Sequence, residues 1–376
     1  MMFQSVSELS RRKNRNLVVA IPVKNEELLI AACLDSLARQ SRQPDHVLLL
    51  LNNCTDRTSE IAHARAASDD RIIVAECELN ASSASAGEAR RLALAAAAEL
   101  AGPDGIIITT DADCLFEPDW IAKNLREIGH GADVVCGAAR VIAEPGHARS
   151  PALQFDLARE EMYAALLDEI ASLVDPDAHD PWPRHQQHSG ASIAMTVKIL
   201  NAAGGPPRVA AGEDRALIER FRLVDAKIRH APDIEVAVSG RLNGRAKGGM
   251  AEALSRRAAM PDQETDAALE PAVDAYRRVL ARARLRGIGS DDREAAALAR
   301  DLLIDPGVMA QAVRGKNFGA AWAAVETLSP VLHRRRVKFV ELARETRQAM
   351  AIRDSVEREG PARQVHEQQR GRQHAQ

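Results

Sequence analysis

Aromatic residues are scarce, at 3% of 376 positions, which argues against the stacked-base platforms of single-strand nucleic-acid binders. Charge of either sign is not in excess: 50 Lys and Arg against 53 Asp and Glu leave a net −3, too balanced for a chain built to hold a polyanion. The five cysteines, Cys33, Cys54, Cys77, Cys114 and Cys136, include no C-x-x-C pair, so neither a disulfide framework nor a zinc site is indicated. No stretch approaches the ~18 apolar residues of a membrane span. Residues 1–16 are polar and basic, without the apolar core of a secretory signal, and are expected to be flexible. A cytoplasmic, nucleic-acid-independent protein is the expectation.

What is present starts with Ile106-Ile107-Ile108-Thr109-Thr110-Asp111-Ala112-Asp113-Cys114. A β-branched run between Gly105 and Pro118 reads as a short buried strand that empties into two aspartates. In an open α/β sheet, ligands sit outside the carboxyl ends of the strands. Two carboxylates leaving an apolar strand there invite a cation, and a divalent metal carrying a diphosphate fits. A plain strand-to-turn junction would place aspartates there as well.

The flanking chain repeats the pattern. Residues 17–21 form a continuous apolar strand closed by Pro22, and Val23-Lys24-Asn25-Glu26-Glu27 opens a helix with Ile30, Leu34 and Leu37 inward. A second strand at 46–51 runs into Asn52-Asn53-Cys54-Thr55-Asp56-Arg57-Thr58, and a third follows at 71–75. Ser85 and Glu88 form a capping box for an Ala-rich helix stopped at Gly102-Pro103. The first ~115 residues thus alternate strand and helix, which predicts a parallel sheet. Helix is expected at 120–128 and 151–174, strand at 134–142 and 234–238, and a short helix at 196–203. A further helix opens at Ala211-Gly212-Glu213-Asp214 and buries Leu217, Ile218 and Phe221. After about residue 250 the composition turns to Ala, Arg, Glu and Leu, predicting helices at 264–286, 291–304 and 330–357. Residues 359–376 are Gln-, Arg- and His-rich and expected to be disordered.

The order of these motifs resembles the family 2 glycosyltransferases of GT-A fold across about 17–250. The matching pieces are residues 22–26 (Pro-x-x-Asn-Glu), 52–58, 87–92, Asp111-Ala112-Asp113, Gly204-Gly205, and Glu213-Asp214 with Arg220. The resemblance implies an open mixed α/β sheet flanked by helices over 17–250. The resemblance does not extend to the helical region 251–358.

It further implies transfer of a sugar from a UDP or GDP donor to an acceptor hydroxyl, with Mg²⁺ or Mn²⁺ held by Asp113 and Asp111. Pro22, Val23, Glu26, Asn52 and Arg90 would contact the nucleotide. Asn52 stands where the family carries an aspartate for uracil, so GDP stays open. Arg241 and Arg245 would clamp the diphosphate, in a loop made pliable by Gly240, Gly244, Gly248 and Gly249. Asp214 would be the general base, with Glu213 beside it. One base and one displacement imply inversion. Acidic residues are also favoured in any helix's first turn.

The usual third metal ligand is a histidine near the end of the domain. Ser239 stands there, and His230 is a weaker candidate that also reads as a packing residue. Trp182, His185, His188 and Ser189-Gly190 would line the acceptor site. Arg334-Arg335-Arg336, read on the last helix, suit either anionic lipid or solvent, and self-association is left open. Two competing readings remain. A sugar-phosphate nucleotidyltransferase would want a glycine-rich loop after the first strand, and Pro22 to Glu26 contains no glycine. A catalytically inactive scaffold would have lost Asp111, Asp113 or Asp214, and all are present.

Overall fold

The computed structural model describes residues 16–80, 85–142, 151–240, 265–289 and 291–359. They fall into two compact units. The first takes its described residues from 1–148, 187–222 and 226–256, the second from 149–186, 223–225 and 257–376.

The first unit is a mixed sheet with strand order β3-β2-β1-β4-β7-β6-β8-β5. In chain order the strands are β1 (Leu17–Val23), β2 (His46–Asn52), β3 (Ile72–Cys77), β4 (Ile106–Thr109), β5 (Cys114–Phe116), β6 (Val134–Ile142), β7 (Ile193–Thr196) and β8 (Ile228–Ser239). Strands β1 to β4 are mutually parallel, with Val19 opposite Val47 and Ile108. The sheet then reverses, since β7 runs antiparallel to β4 and Thr109 faces Ile193.

The apolar runs are continuous because both faces of the sheet are covered. Side chains alternate across a strand, so Val19, Ile21, Val47, Leu49 and Ile108 enter one core, while Val18, Ala20, Leu48, Leu50 and Ile107 enter the other. Each of the valine, leucine and isoleucine side chains contributes about 1.5–3 kcal/mol when fully buried. Helices α1 (Ile30–Ala38), α2 (Thr58–Ala66) and α4 (Trp120–Gly129) fill the first core. The second is filled by α3 (Ala86–Ala101), α6 (Val197–Ala202) and α7 (Glu213–Leu223). As expected, α7 buries Leu217, Ile218 and Phe221.

Helix α3 starts as its sequence says: the Glu88 amide donates to Ser85 Oγ at 3.1 Å, although the Glu88 carboxylate pairs with Arg91. Gly87 sits in its first turn against the main chain of Val209, where a Cβ would come 2.0 Å from a carbonyl oxygen.

The second unit is helical. It contains α5 (Pro151–Val174), α8 (Ala272–Gly287), α9 (Asp292–Asp301), α10 (Pro306–Val313), α11 (Phe318–Leu328), a 3-10 turn at Pro330–Leu332 and α12 (Leu342–Glu359). Arg278 is buried and makes two parallel 2.7 Å bonds to Glu270, with a third to Glu326. That pairing is what lets three charged groups lie among the helices.

Three expectations need correction. The helix read over 330–357 begins only at Leu342, so the arginine triplet is not on a helix face. Arg334 pairs with Glu326 and Arg335 with Glu341. The antiparallel strands β5 and β7 and the helices α10 and α11 are additional. Arg241, Arg245, Gly244, Gly248 and Gly249, with the termini 1–15 and 360–376, lie outside the described residues. No helix among the described residues is long and apolar enough to cross a membrane.

Gly87→Ala is expected to lose about 1–3 kcal/mol through overpacking. Gly129→Ala, with open space around the new methyl, should be neutral or stabilising by up to ~1 kcal/mol. Urea denaturation of both variants checks the pair.

Candidate active site

The carboxyl ends of β1, β2 and β4 deliver three loops to one edge. The first two are stitched together. Asn25 adopts a left-handed φ of 53° and accepts from the Thr55 amide at 2.7 Å. The Glu26 amide donates to Thr58 Oγ1 at 2.7 Å, and the Glu27 amide donates to Asp56. Asn52 is buried and donates its amide NH₂ to the Val23 carbonyl at 3.0 Å. Its Oδ1 is therefore the atom left to accept from a ligand N–H. Val23 departs from the expected contact with the nucleotide. Its side chain is fully buried in the core, because it continues the β1 alternation inward. Pro22 is partly exposed, and Glu26 is buried.

Thr109 ends β4, and Asp111 and Asp113 follow, both half-buried. Their carboxylate oxygens and the Cys114 Sγ lie within 4.8 Å of one another. Two carboxylates at such spacing suit a hard divalent ion, which prefers oxygen ligands.

Arg90 projects from α3 into the same place. It is only 6% exposed. Its Nε donates to Glu213 at 3.0 Å, its Nη1 to Thr109 Oγ1 at 2.8 Å and to the Gly190 carbonyl at 3.2 Å, and its Nη2 to Asp111 Oδ1 at 2.5 Å. This departs from the expected contact with base or phosphate, since four guanidinium bonds already go to protein acceptors. Burial alone would lower the Arg90 pKa, but Asp111 and Glu213 outweigh it and hold the group charged. Gly190 must lack a side chain, because a Cβ there would lie 2.7 Å from the guanidinium carbon. The Gly190 amide in turn donates to Asp214 Oδ2 at 3.2 Å. One guanidinium and one glycine thus bring together acids separated by a hundred residues.

Burial raises the Asp214 carboxyl above its ordinary range. The Arg215 amide and Arg90 oppose the shift, and Glu213 adds to it. A partly buried acid shifted this way beside a second carboxylate is a common form of a group kept ready to take a proton.

His230 does not reach this edge. It faces Cys136 on β6, whereas Val238 faces both Cys114 and Val141. Five β6 residues separate the two levels, roughly 17 Å at ~3.3 Å per residue. His230 instead meets His188 Nε2 at 3.1 Å, which also accepts from Arg222. Ser239, directly after the Cys114 level, stays near the aspartates in register. Trp182 and His185 belong to the second unit, while His188, Ser189 and Gly190 belong to the first. Arg220 donates to the Gly204 and Gly205 carbonyls, and both glycines take positive φ. Thr109 was not among the expected site residues, and nothing in its position at a strand end marks it.

Part of this geometry, Asn52, Arg90, Asp111 and Asp113, lies in a stretch with known relatives. Residues 18–181 match the model of Glycosyl transferase family 2. Among solved structures it is similar to Staphylococcus aureus TarS 1-349 in complex with UDP, at 16% identity, with 91% of each chain covered and a TM-score of 0.45. It is also similar to the mannosyltransferase PcManGT from Pyrobaculum calidifontis in complex with GDP-Man and Mn2+ (16% identity, 86% of this chain and 92% of that one, TM-score 0.42). Glucosyl-3-phosphoglycerate synthase from Mycobacterium tuberculosis shows 18% identity, covers 69% of this chain and 86% of that one, and gives a TM-score of 0.41. These likenesses are loose. No curated protein matches the chain.

Arg90→Met is expected to destabilise by about 3–5 kcal/mol, because it removes the buried charge that pairs two partly buried carboxylates. Asp214→Asn should do the opposite. A carboxyl whose pKa is raised on folding favours the native state below its unfolded value and loses that contribution as pH rises through the folded value. Thermal melts from pH 4 to 8 should therefore show Asp214→Asn equal to or more stable than the parent at pH 8.

Proposed function

We propose that the chain is a glycosyltransferase that moves a sugar from a nucleoside-diphosphate donor to an acceptor hydroxyl with inversion, using a divalent ion and Asp214 as general base. The observation that carries the reading is the Arg90 bridge, with Asp111 at one end, Glu213 at the other, and Asp214 tied in through Gly190.

The residues fit a metal. Asp111 gives Oδ1 to Arg90 and keeps Oδ2, so Asp113 is the main ligand and Asp111 a supporting one. Mg²⁺ or Mn²⁺ bound there supplies Lewis-acid neutralisation of the diphosphate leaving group. The rest is done by side chains. Asn52 Oδ1 accepts a base N–H, which suits the imide of uracil and also the N1–H of guanine. The stitched loops of Asn25, Glu26 and Thr58 hold that acceptor in place without further ordering on binding. Asp214 takes the acceptor proton as the hydroxyl oxygen attacks the anomeric carbon from the face opposite the diphosphate. The Gly190 amide fixes Asp214 Oδ2, and Glu213, held by Arg90, keeps a second negative charge beside it. That neighbour and the burial raise its basicity toward the working pH.

Asp113→Ala should abolish the Mn²⁺-dependent rise in melting temperature that UDP or GDP produces. A ligand at 100 times its Kd stabilises the fold by about 2.7 kcal/mol, which is readily seen. Asp214→Asn should keep that shift and lose transfer by about 10²–10⁴-fold. Transfer surviving in Asp214→Asn removes Asp214 from the role. The acid limb of the parent's kcat/KM profile should lie above the ordinary carboxylate value of ~4.

A further inference from the structure

The loop that leads into β7 touches α7 twice. The Gly190 amide holds Asp214 in the first turn, and two residues earlier His188 Nε2 lies 3.0 Å from Arg222 Nη2 in the last turn. A helical side chain leans toward the N-terminus of its helix, which lets Arg222 meet the same short loop as Asp214. The same His188 nitrogen lies 3.1 Å from His230 Nε2 on β8, with the ring centroids 5.1 Å apart. His230 is 7% exposed, His188 is half-buried and Arg222 is exposed. The cluster thus runs from a buried imidazole to a solvent-facing guanidinium.

One nitrogen cannot serve both neighbours fully. An imidazole Nε2 carries either one hydrogen or one lone pair, and a guanidinium only donates. His188 Nε2 therefore accepts from Arg222. His230 Nε2 must then share that lone pair as a second donor, or set its own lone pair against it. An anion resolves the conflict. Its oxygens accept from Arg222 and from both imidazoles in their neutral Nε2–H tautomer, so neither ring needs a charge.

We propose that Arg222, His188 and His230 bind a phosphoryl group carried by the acceptor. Donors arriving from a helix, a loop and a strand suit the three oxygens of a phosphoryl group better than the planar pair of a carboxylate. The donor diphosphate belongs with Asp111 and Asp113, and His230 stands roughly 17 Å along the sheet from the level of Cys114. His188, by contrast, is two residues from the glycine that fixes Asp214, at most ~7 Å of chain. An anion there is part of the acceptor, an assignment that rests on the reading of Asp214 as the base.

The geometry requires a modest adjustment. Donors that share one oxygen stand roughly 4–5 Å apart, so the nitrogens must part by roughly 1–2 Å. His230 is set by the β6–β8 ladder, whereas His188 lies on a loop and Arg222 is exposed, so these two yield. Glu219 takes Arg222 Nη1 at 2.5 Å, an exposed pair of little strength that leaves Nη2 for the ligand.

Calorimetric titration of the full chain with inorganic phosphate, without metal, tests the site. The expected result is one phosphate per chain, bound about 10–100-fold more weakly in Arg222→Gln and in His188→Ala through loss of a charge-assisted hydrogen bond. Saturating UDP and the Asp113→Asn substitution should leave it in place, and acetate should bind more weakly. A parent that binds no phosphate overturns the proposal. So does phosphate held equally by both variants, displaced by UDP, lost in Asp113→Asn or matched by acetate. Glycerol 3-phosphate, a phosphoryl group carrying free hydroxyls, should compete for the site; failure to compete overturns the acceptor assignment. Melting with UDP or GDP and Mn²⁺ reports the functional reading separately. Arg222→Gln should keep the Mn²⁺-dependent shift, whereas a parent without it would sink the nucleotide-sugar reading and leave the phosphate result to stand by itself.

Discussion

One guanidinium holds this site together. Arg90 is buried among three elements that meet nowhere else in sequence: the end of β4, the loop into β7 and the start of α7. Isolated, a buried arginine would be costly. Here Asp111, Glu213, Thr109 Oγ1 and the Gly190 carbonyl all accept from it. The cost of burying the charge is thus met by geometry that also sets the spacing of the acids. Remove the arginine and the fold loses a clasp while two carboxylates repel each other. The same interaction explains why position 190 is glycine, since any side chain would occupy the space of the guanidinium.

Around that clasp, the sheet topology supplies the rest. Parallel strands β1, β2 and β4 end at one edge, and the antiparallel β7 begins there, beside the end of β4. The acids on the β4 loop and the loop entering β7 are neighbours because of this reversal. Helix α7 packs on the second core and brings Glu213 and Asp214 with its first turn. A rigid two-core scaffold thereby positions groups that would repel one another if left on free loops.

Much of this was readable in the chain. The runs at 17–21, 46–51 and 106–108 have no polar alternation, and a strand buried on both faces gives that pattern. Ser85 announced α3, and the spacing of Leu217, Ile218 and Phe221 announced α7. Other parts were silent for physical reasons. Strand β7 is four residues long and β5 three, too short for periodicity to register, and both are set by pairing with distant strands. The role of Arg90 is invisible in one dimension, because a helix arginine looks alike whether it meets solvent or four partners. Val23 looked available to a ligand until its place in the β1 alternation put it inside. His230 was a candidate ligand because it lies a few residues before Ser239 in sequence, and the β6–β8 register places it far along the strand from that position. Arg334 to Arg336 looked helical because their neighbours are helix formers, yet Pro330 leads only into a short 3-10 turn and the helix waits until Leu342.

The most direct test of the central claim is a crystal structure of the chain with UDP or GDP and Mn²⁺. The account predicts an ion at coordination distance from Asp113, bridging the diphosphate. It also predicts Arg90 still joining Asp111 to Glu213, and Asp214 facing the same cavity. An ion bound elsewhere, or a diphosphate on the side of the sheet away from Asp214, would contradict it.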